Sequence, residues 1–164
     1  MEQTLTINDQ LVELGTLVDN QETSIQRVGA RMIDEFFNTF VSGNADDETT
    51  ANVLYYLTDI QVRDYALGIL DKYARAEAAL KHLLESAPTD TIYINAPAAL
   101  LATKYYEQGA TANAFLALSN AQQNYSLAIL LSRVFKSGWD PSSFARMREE
   151  LHPKVVASIF GEEE

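Results

Sequence analysis

The chain has 164 residues, no cysteine, and 23 acids against 12 bases, a net charge of −11. This length suits one domain with its own core, and the lack of cysteine excludes disulfides, thiolate nucleophiles and Cys-ligated zinc. The acidic balance argues against direct nucleic-acid binding, which needs clustered Lys and Arg on the phosphate backbone.

The N-terminus lacks a basic region followed by an apolar one, and no apolar run approaches a membrane span. No membrane partner and a cytoplasmic location are therefore expected. The dominant period is helical. A first helix is predicted after Asn8 or Asp9, with Leu11, Leu14 and Val18 on one face. A second runs from about 22 to 42. Its stripe of Ile25, Val28, Met32, Phe36 and Phe40 is widened by Ile33, Phe37 and Val41, which predicts a central core helix or a homodimer seam. Ser42-Gly43-Asn44 should stop it.

Asp46-Asp47-Glu48 follows in a polar loop. These acids are contiguous, whereas a calcium loop alternates its oxygen ligands; Asp47 or Glu48 is expected to cap the next helix. That helix carries Val53, Leu54 and Leu57. Asp59 should cap a fourth, with Val62, Ala66, Ile69 and Leu70 on one side, and a fifth runs from about 73 to 86 with Leu80 and Leu83 inward. Beyond Pro88, residues 90–94 alternate in a strand-like way. Asn95 then offers a cap, with Pro97 in the first turn behind it, and Gly109 closes that helix. Ala114, Leu118 and Ala121 face inward on the next, and Leu127, Leu131, Val134 and Phe135 on the one after. Gly138-Trp139 ends this run. Asp140-Pro141 begins another helix, and His152-Pro153 repeats the device for a last short helix to Gly161. Residues 162–164 should fray.

The fold class expected is all-α, a single compact domain of about nine antiparallel helices. Residues 1–50 would form acidic N-terminal helices that pack on, or swap with, a core over 51–161. The run Tyr105-Tyr106-Glu107-Gln108-Gly109, followed by Ala114 and Ala121, has the form of one tetratricopeptide-like helical hairpin. A solenoid needs about three such copies.

Few residues offer chemistry. His82 has Ala78 one turn back and only Glu85 ahead, short of the three or four ligands of a zinc site. His152 reads as a helix-boundary residue. Asp34-Glu35 and Glu149-Glu150 are adjacent pairs that diverge by about 100° on a helix and cannot converge on one substrate. Nucleophile-elbow, phosphate-loop and dinucleotide motifs are absent. No catalytic residue, metal or cofactor is assigned, and an enzyme is not expected. Arg63-Asp64 is the most informative charged pair. Neighbours diverge on a helix, so each should meet a different group, in an interhelical ion pair or as an anchor for a ligand.

Charge is uneven. Residues 1–60 hold eleven acids against Arg27 and Arg31. Asp34, Glu35, Asp46, Asp47 and Glu48 are thus candidates for meeting a basic protein partner. Phe36 and Phe40 are candidates for a dimer contact, and Trp139, on its turn, for an interface anchor.

Several pieces of the chain resemble an actinobacterial domain-of-unknown-function family, DUF4192, that also occurs in actinobacterial phages. They are Asp59 with Val62-Arg63-Asp64-Tyr65-Ala66, Ala87-Pro88, the run Ala96-Pro97-Ala98-Ala99-Leu100-Leu101-Ala102, the Gly109 turn with Ala114 and Ala117, Tyr125-Ser126-Leu127-Ala128, and Gly138-Trp139-Asp140-Pro141. The resemblance covers about residues 51–145. Tyr106 stands where the family usually has Trp, and Gly109-Ala110 where a Gly-Asp pair is common. The resemblance implies an α-helical fold and an actinobacterial or phage origin, and transfers no catalytic residue. The function expected is a protein-interaction module, a phage accessory protein in an actinobacterial cytoplasm. The alternatives are an acidic decoy of a nucleic-acid-binding surface, and a small-ligand-binding protein or enzyme with its site near Arg63 and Asp64.

Overall fold

The computed structural model describes residues 23–41 and 45–160. In chain order these form α1 (Thr23–Thr39), α2 (Asp47–Tyr56), α3 (Ile60–Gly68), α4 (Ala76–Ser86), a 3-10 turn (Ile92–Ile94), α5 (Asn95–Glu107), α6 (Thr111–Leu118), α7 (Ser126–Ser137) and α8 (Pro141–Phe160). Among the described residues there are eight α-helices and no strand. The helix expected around Leu11, Leu14 and Val18, the Ser42-Gly43-Asn44 stop and the tail lie outside the described residues.

Helix ends follow local chemistry. Asp59 caps α3, accepting from the amides of Gln61 at 2.9 Å and Val62 at 3.2 Å. Asp140 caps α8 through the Ser143 amide. Gly138 ends α7 in the left-handed region, at φ 75°, where a side chain would be strained. At α2 the expectation was one residue late. Asp46 is the cap, accepting from Thr49 N at 2.7 Å, and Asp47 and Glu48 occupy the first turn, where the helix dipole favours acids.

The core gathers around α5. Ala96, Ala98, Ala99, Leu100, Leu101, Ala102 and Tyr106 are all buried, so this helix is apolar on nearly every side. Its alanines let neighbours approach closely. Gly109, at φ 83°, turns the chain back so that Ala114 and Ala117 of α6 pack against it. The same core takes Ile33 and Phe37 from α1, Leu80 and Leu83 from α4, and Ile159 from α8.

The strand-like alternation over 90–94 forms no strand, in keeping with the all-α expectation: five residues without a pairing partner gain no ladder, and Ile92–Ile94 coil into a 3-10 turn. Three expectations are corrected. Asn95 does not cap α5. Its side chain donates to Gln122 Oε1 at 2.9 Å and accepts from Gln122 N at 2.7 Å, tying the start of α5 to the α6–α7 connection. The fifth helix begins at Ala76 rather than Tyr73, whose hydroxyl donates to Asp34 on α1 at 2.7 Å. Pro153 does not start a new helix but sits inside α8. An interior proline costs about 3 kcal/mol. Packing on both sides of it, by Phe144 before and Ile159 after, holds the two halves in one rod.

Candidate functional site

Helices α3, α7 and α8 leave a groove of about 400 Å³ between them. Leu127 and Leu131 of α7 line it together with Leu151 and Val155 of α8. Leu67, Phe144 and Met147 complete the apolar lining. At the rim, Leu130 is 54% and Leu151 48% exposed. The charged and titratable groups are Arg63 and Asp64 from α3, and Arg148, His152 and Lys154 from α8, and Gln61 and Ser158 add uncharged polar groups.

Arg63 and Asp64 meet each other, contrary to the expectation that neighbours diverge. The long Arg63 stem folds back, and its Nε and Nη2 donate to Asp64 Oδ1 at 3.0 and 2.9 Å. Its Nη1 donates to Tyr125 Oη at 3.3 Å. The guanidinium carbon stands 5.8 Å from the centre of the same ring, a cation–π contact. Burial pushes the Tyr125 hydroxyl up, and Arg63 offsets this only in part. Arg63 is therefore already committed at the end of the groove.

The stronger ionic centre escaped sequence reasoning. Arg148 is 2% exposed. It donates to Glu107 of α5 at 2.7 and 2.6 Å, to Asp71 at 2.7 Å and to the Leu67 carbonyl at 2.7 Å. Lys104 joins through Asp71 at 3.2 Å. The two carboxylates respond oppositely. Burial pushes Glu107 up and Arg148 only partly offsets it. Burial also pushes on Asp71, but its side chain is 48% exposed, and its bonds to Arg148 and Lys104 prevail and hold it below the usual range. One signal was available: Arg148 is four residues after Phe144, on the inward stripe of α8.

His152 is likewise internal to α8 rather than a boundary residue. Its Nδ1 is buried without a hydrogen-bond partner among the described residues. Its ring lies 5.3 Å from Tyr65, which itself donates to Asp34. Burial lowers the imidazole's proton affinity; Asp34 opposes this, while Lys72 and Arg148 reinforce it. A Cβ at Gly68 would run into this ring. Gly68→Ala is therefore expected to cost about 1–3 kcal/mol by overpacking, despite alanine's better helix propensity. His152→Ala should relieve the clash. A double-mutant cycle in urea reads the coupling, and strictly additive losses would disprove the contact.

The remaining predicted residues scatter. Asp34 turns inward to Tyr65 and Tyr73. Glu35, Phe36, Phe40 and Asp46 line a separate cavity of about 370 Å³ between α1 and α2. Phe36 and Phe40 are buried within the chain and pack on His82, whose Nε2 pairs with Thr50 Oγ1 at 2.9 Å. Asp47 and Glu48 face solvent. Trp139 is 44% exposed, while its carbonyl accepts from Tyr106. Among the described residues no three His, Asp or Glu side chains could hold a metal ion, and no helix is long and apolar enough to cross a membrane.

A family model described as a domain of unknown function (DUF4192) matches residues 9–142. The chain is a member of the DUF4192 family. No curated protein matches it and no solved structure does. The DUF4192 match reaches well ahead of the stretch over 51–145 that carried the resemblance, and takes in α1 and α2. It ends within the first turn of α8, so Arg148, Leu151 and His152 lie beyond the matched residues.

Proposed function

We propose that this DUF4192 chain is a non-enzymatic protein-interaction module whose docking face is the groove between α3, α7 and α8. The observation that carries this reading is the open apolar groove with Leu130 and Leu151 about half exposed at its rim. Helix-in-groove recognition uses such a surface. The expected setting is that of a phage accessory protein in an actinobacterial cytoplasm, with the α5–α6 hairpin as a tetratricopeptide-like scaffold behind the groove. The acidic-surface readings receive less support. Asp34, Asp46 and Asp59 are occupied by internal hydrogen bonds, which thins any phosphate-like row of acids.

The test is affinity purification from an actinobacterial lysate with the full chain and with a Leu130→Glu, Leu151→Glu double variant. Both sites are exposed, so each substitution should leave stability within about 0.5 kcal/mol. A true partner should be recovered at least about tenfold less by the variant, as for a central interface contact. Equal recovery by both proteins would overturn the assignment of this face.

A second reading takes the groove, of ligand size and with Arg63, Asp64 and His152 in its lining, as a small-ligand site. A small ligand held there against Arg63 and His152 would be lost in an Arg63→Ala, His152→Phe double variant, measured by mass spectrometry of the natively purified protein. Identical spectra for the two proteins would remove this reading.

A further inference from the structure

A second cleft flanks α7 beside the groove. It lies between α6 and α7 and has a volume of about 600 Å³. Its wall on α7 includes Ile129, Arg133 and Lys136. Successive residues advance by about 100° around a helix. Lys136, Ile129, Arg133 and Leu130 therefore follow one another around the outward side of α7, opposite buried Leu131 and Phe135. Ile129 is 42% and Leu130 54% exposed.

Charge separates sharply at this place. The chain as a whole carries 23 acids and 12 bases. The linings of the two clefts together hold five of those bases, Arg63, Arg133, Lys136, Arg148 and Lys154, and one acid, Asp64. Arg63 and Arg148 are consumed by internal ion pairs. Arg133, Lys136 and Lys154 form no ion pair with any described residue. Arg133 and Lys136 are also three apart on one helix face, where like charges repel. Exposed aliphatic side chains interleaved with cations that form no ion pair among the described residues, on an acidic molecule, complement a partner that joins an apolar face to carboxylates.

We propose that the partner docked by this face is an acidic amphipathic helix. It lies along α7 with its apolar side on Ile129 and Leu130 and its carboxylates against Arg133, Lys136 and Lys154. The proposal rests on the reading of the groove as a docking site and adds the chemistry of the occupant. A nucleic acid fits less well, because a phosphate backbone asks for contiguous bases and here two exposed aliphatic side chains lie among them.

The experiment uses the full chain and two synthetic amphipathic helices of equal length, both with a leucine face, one with a glutamate polar face and one with a lysine polar face. Binding is read by fluorescence anisotropy and by amide shifts of α7. The glutamate peptide should bind at least about tenfold tighter than the lysine peptide, and Arg133→Glu with Lys136→Glu should reverse that preference, since interfacial charge sets partner choice. Equal affinity for both peptides, or no response to the charge reversal, would sink the acidic occupant while leaving the groove as a docking site. If neither peptide binds and Leu130→Glu moves no α7 resonance other than its neighbours', the docking reading falls too. Sedimentation distinguishes the other occupants. Self-association abolished by the same charge reversal would assign the face to a second copy. A shift of α7 resonances at constant mass on Asp9→Lys with Glu13→Lys would assign it to this chain's own leading residues. Either result overturns the proposal.

Discussion

Arg148→Ala is expected to lose about 3–5 kcal/mol of stability, because it strands a buried carboxylate without its partner. Glu107 is the group stranded; its side chain is 8% exposed. For a domain of this size the loss should lower the melting temperature by about 10 °C. Arg148→Lys should recover only part of it, since an ammonium cannot reproduce the fork that reaches Glu107, Asp71 and the Leu67 carbonyl together. Arg148→Met with Glu107→Leu should recover most of it, as apolar replacement of a buried pair often does. The pH dependence has a definite sign. The Asp71 carboxyl lies below its ordinary value of 3.8 in the fold. Its contribution is therefore present above that pH and is lost as pH falls through the lower folded value. Glu107 is shifted upward, so its titration acts the other way. The gap between wild type and Arg148→Ala should narrow below about pH 4 as Asp71 ceases to be a partner. A gap under about 1 kcal/mol at neutral pH, measured by urea denaturation, would mean that solvent screens the network.

Phe37→Ala is expected to cost about 3–5 kcal/mol as a cavity in the core. Phe37 is 0% exposed, on the inward side of α1 beside Ile33. This variant also decides between the two readings of the aromatic stripe. If α1 is a core helix, the unfolding midpoint of wild type and variant should not depend on protein concentration. If Phe36, Phe37 and Phe40 belonged to a seam between copies, dilution would lower the wild-type midpoint by mass action. Burial of all three rings within one chain supports the first outcome. A concentration-dependent midpoint would refute it.

Some of the architecture could be read residue by residue. The caps at Asp59 and Asp140 and the stop at Gly138 act through atoms a few residues away, so their neighbours in the chain suffice to identify them. The inward stripes of α4 and α7 follow from spacing alone. Other residues depended on distant partners. Asn95 has the composition of a cap, but Gln122 competes for its side chain and wins two hydrogen bonds. Pro153 has the composition of a helix start, but α3 and α1 pack across it and the rod continues. Of the candidate site, only Arg63 and Asp64 were legible. The rest of the groove combines side chains from three helices, and no local pattern announces a gap between helices.

The amino-acid sequence by itself determined the helical class, most helix boundaries, the alanine-rich central helix and the family, because hydrogen-bond caps, glycine turns and hydrophobic period are properties of short segments. Tertiary structure alone decided which polar groups became buried partners and where apolar surface was left uncovered. Arg148 finds Glu107 and the Leu67 carbonyl across 41 and 81 residues of chain. Lys154 of α8 and Leu130 of α7 line one groove only because α3, α7 and α8 come together. Such choices are set by how whole helices pack, and each helix carries only its own half of the arrangement.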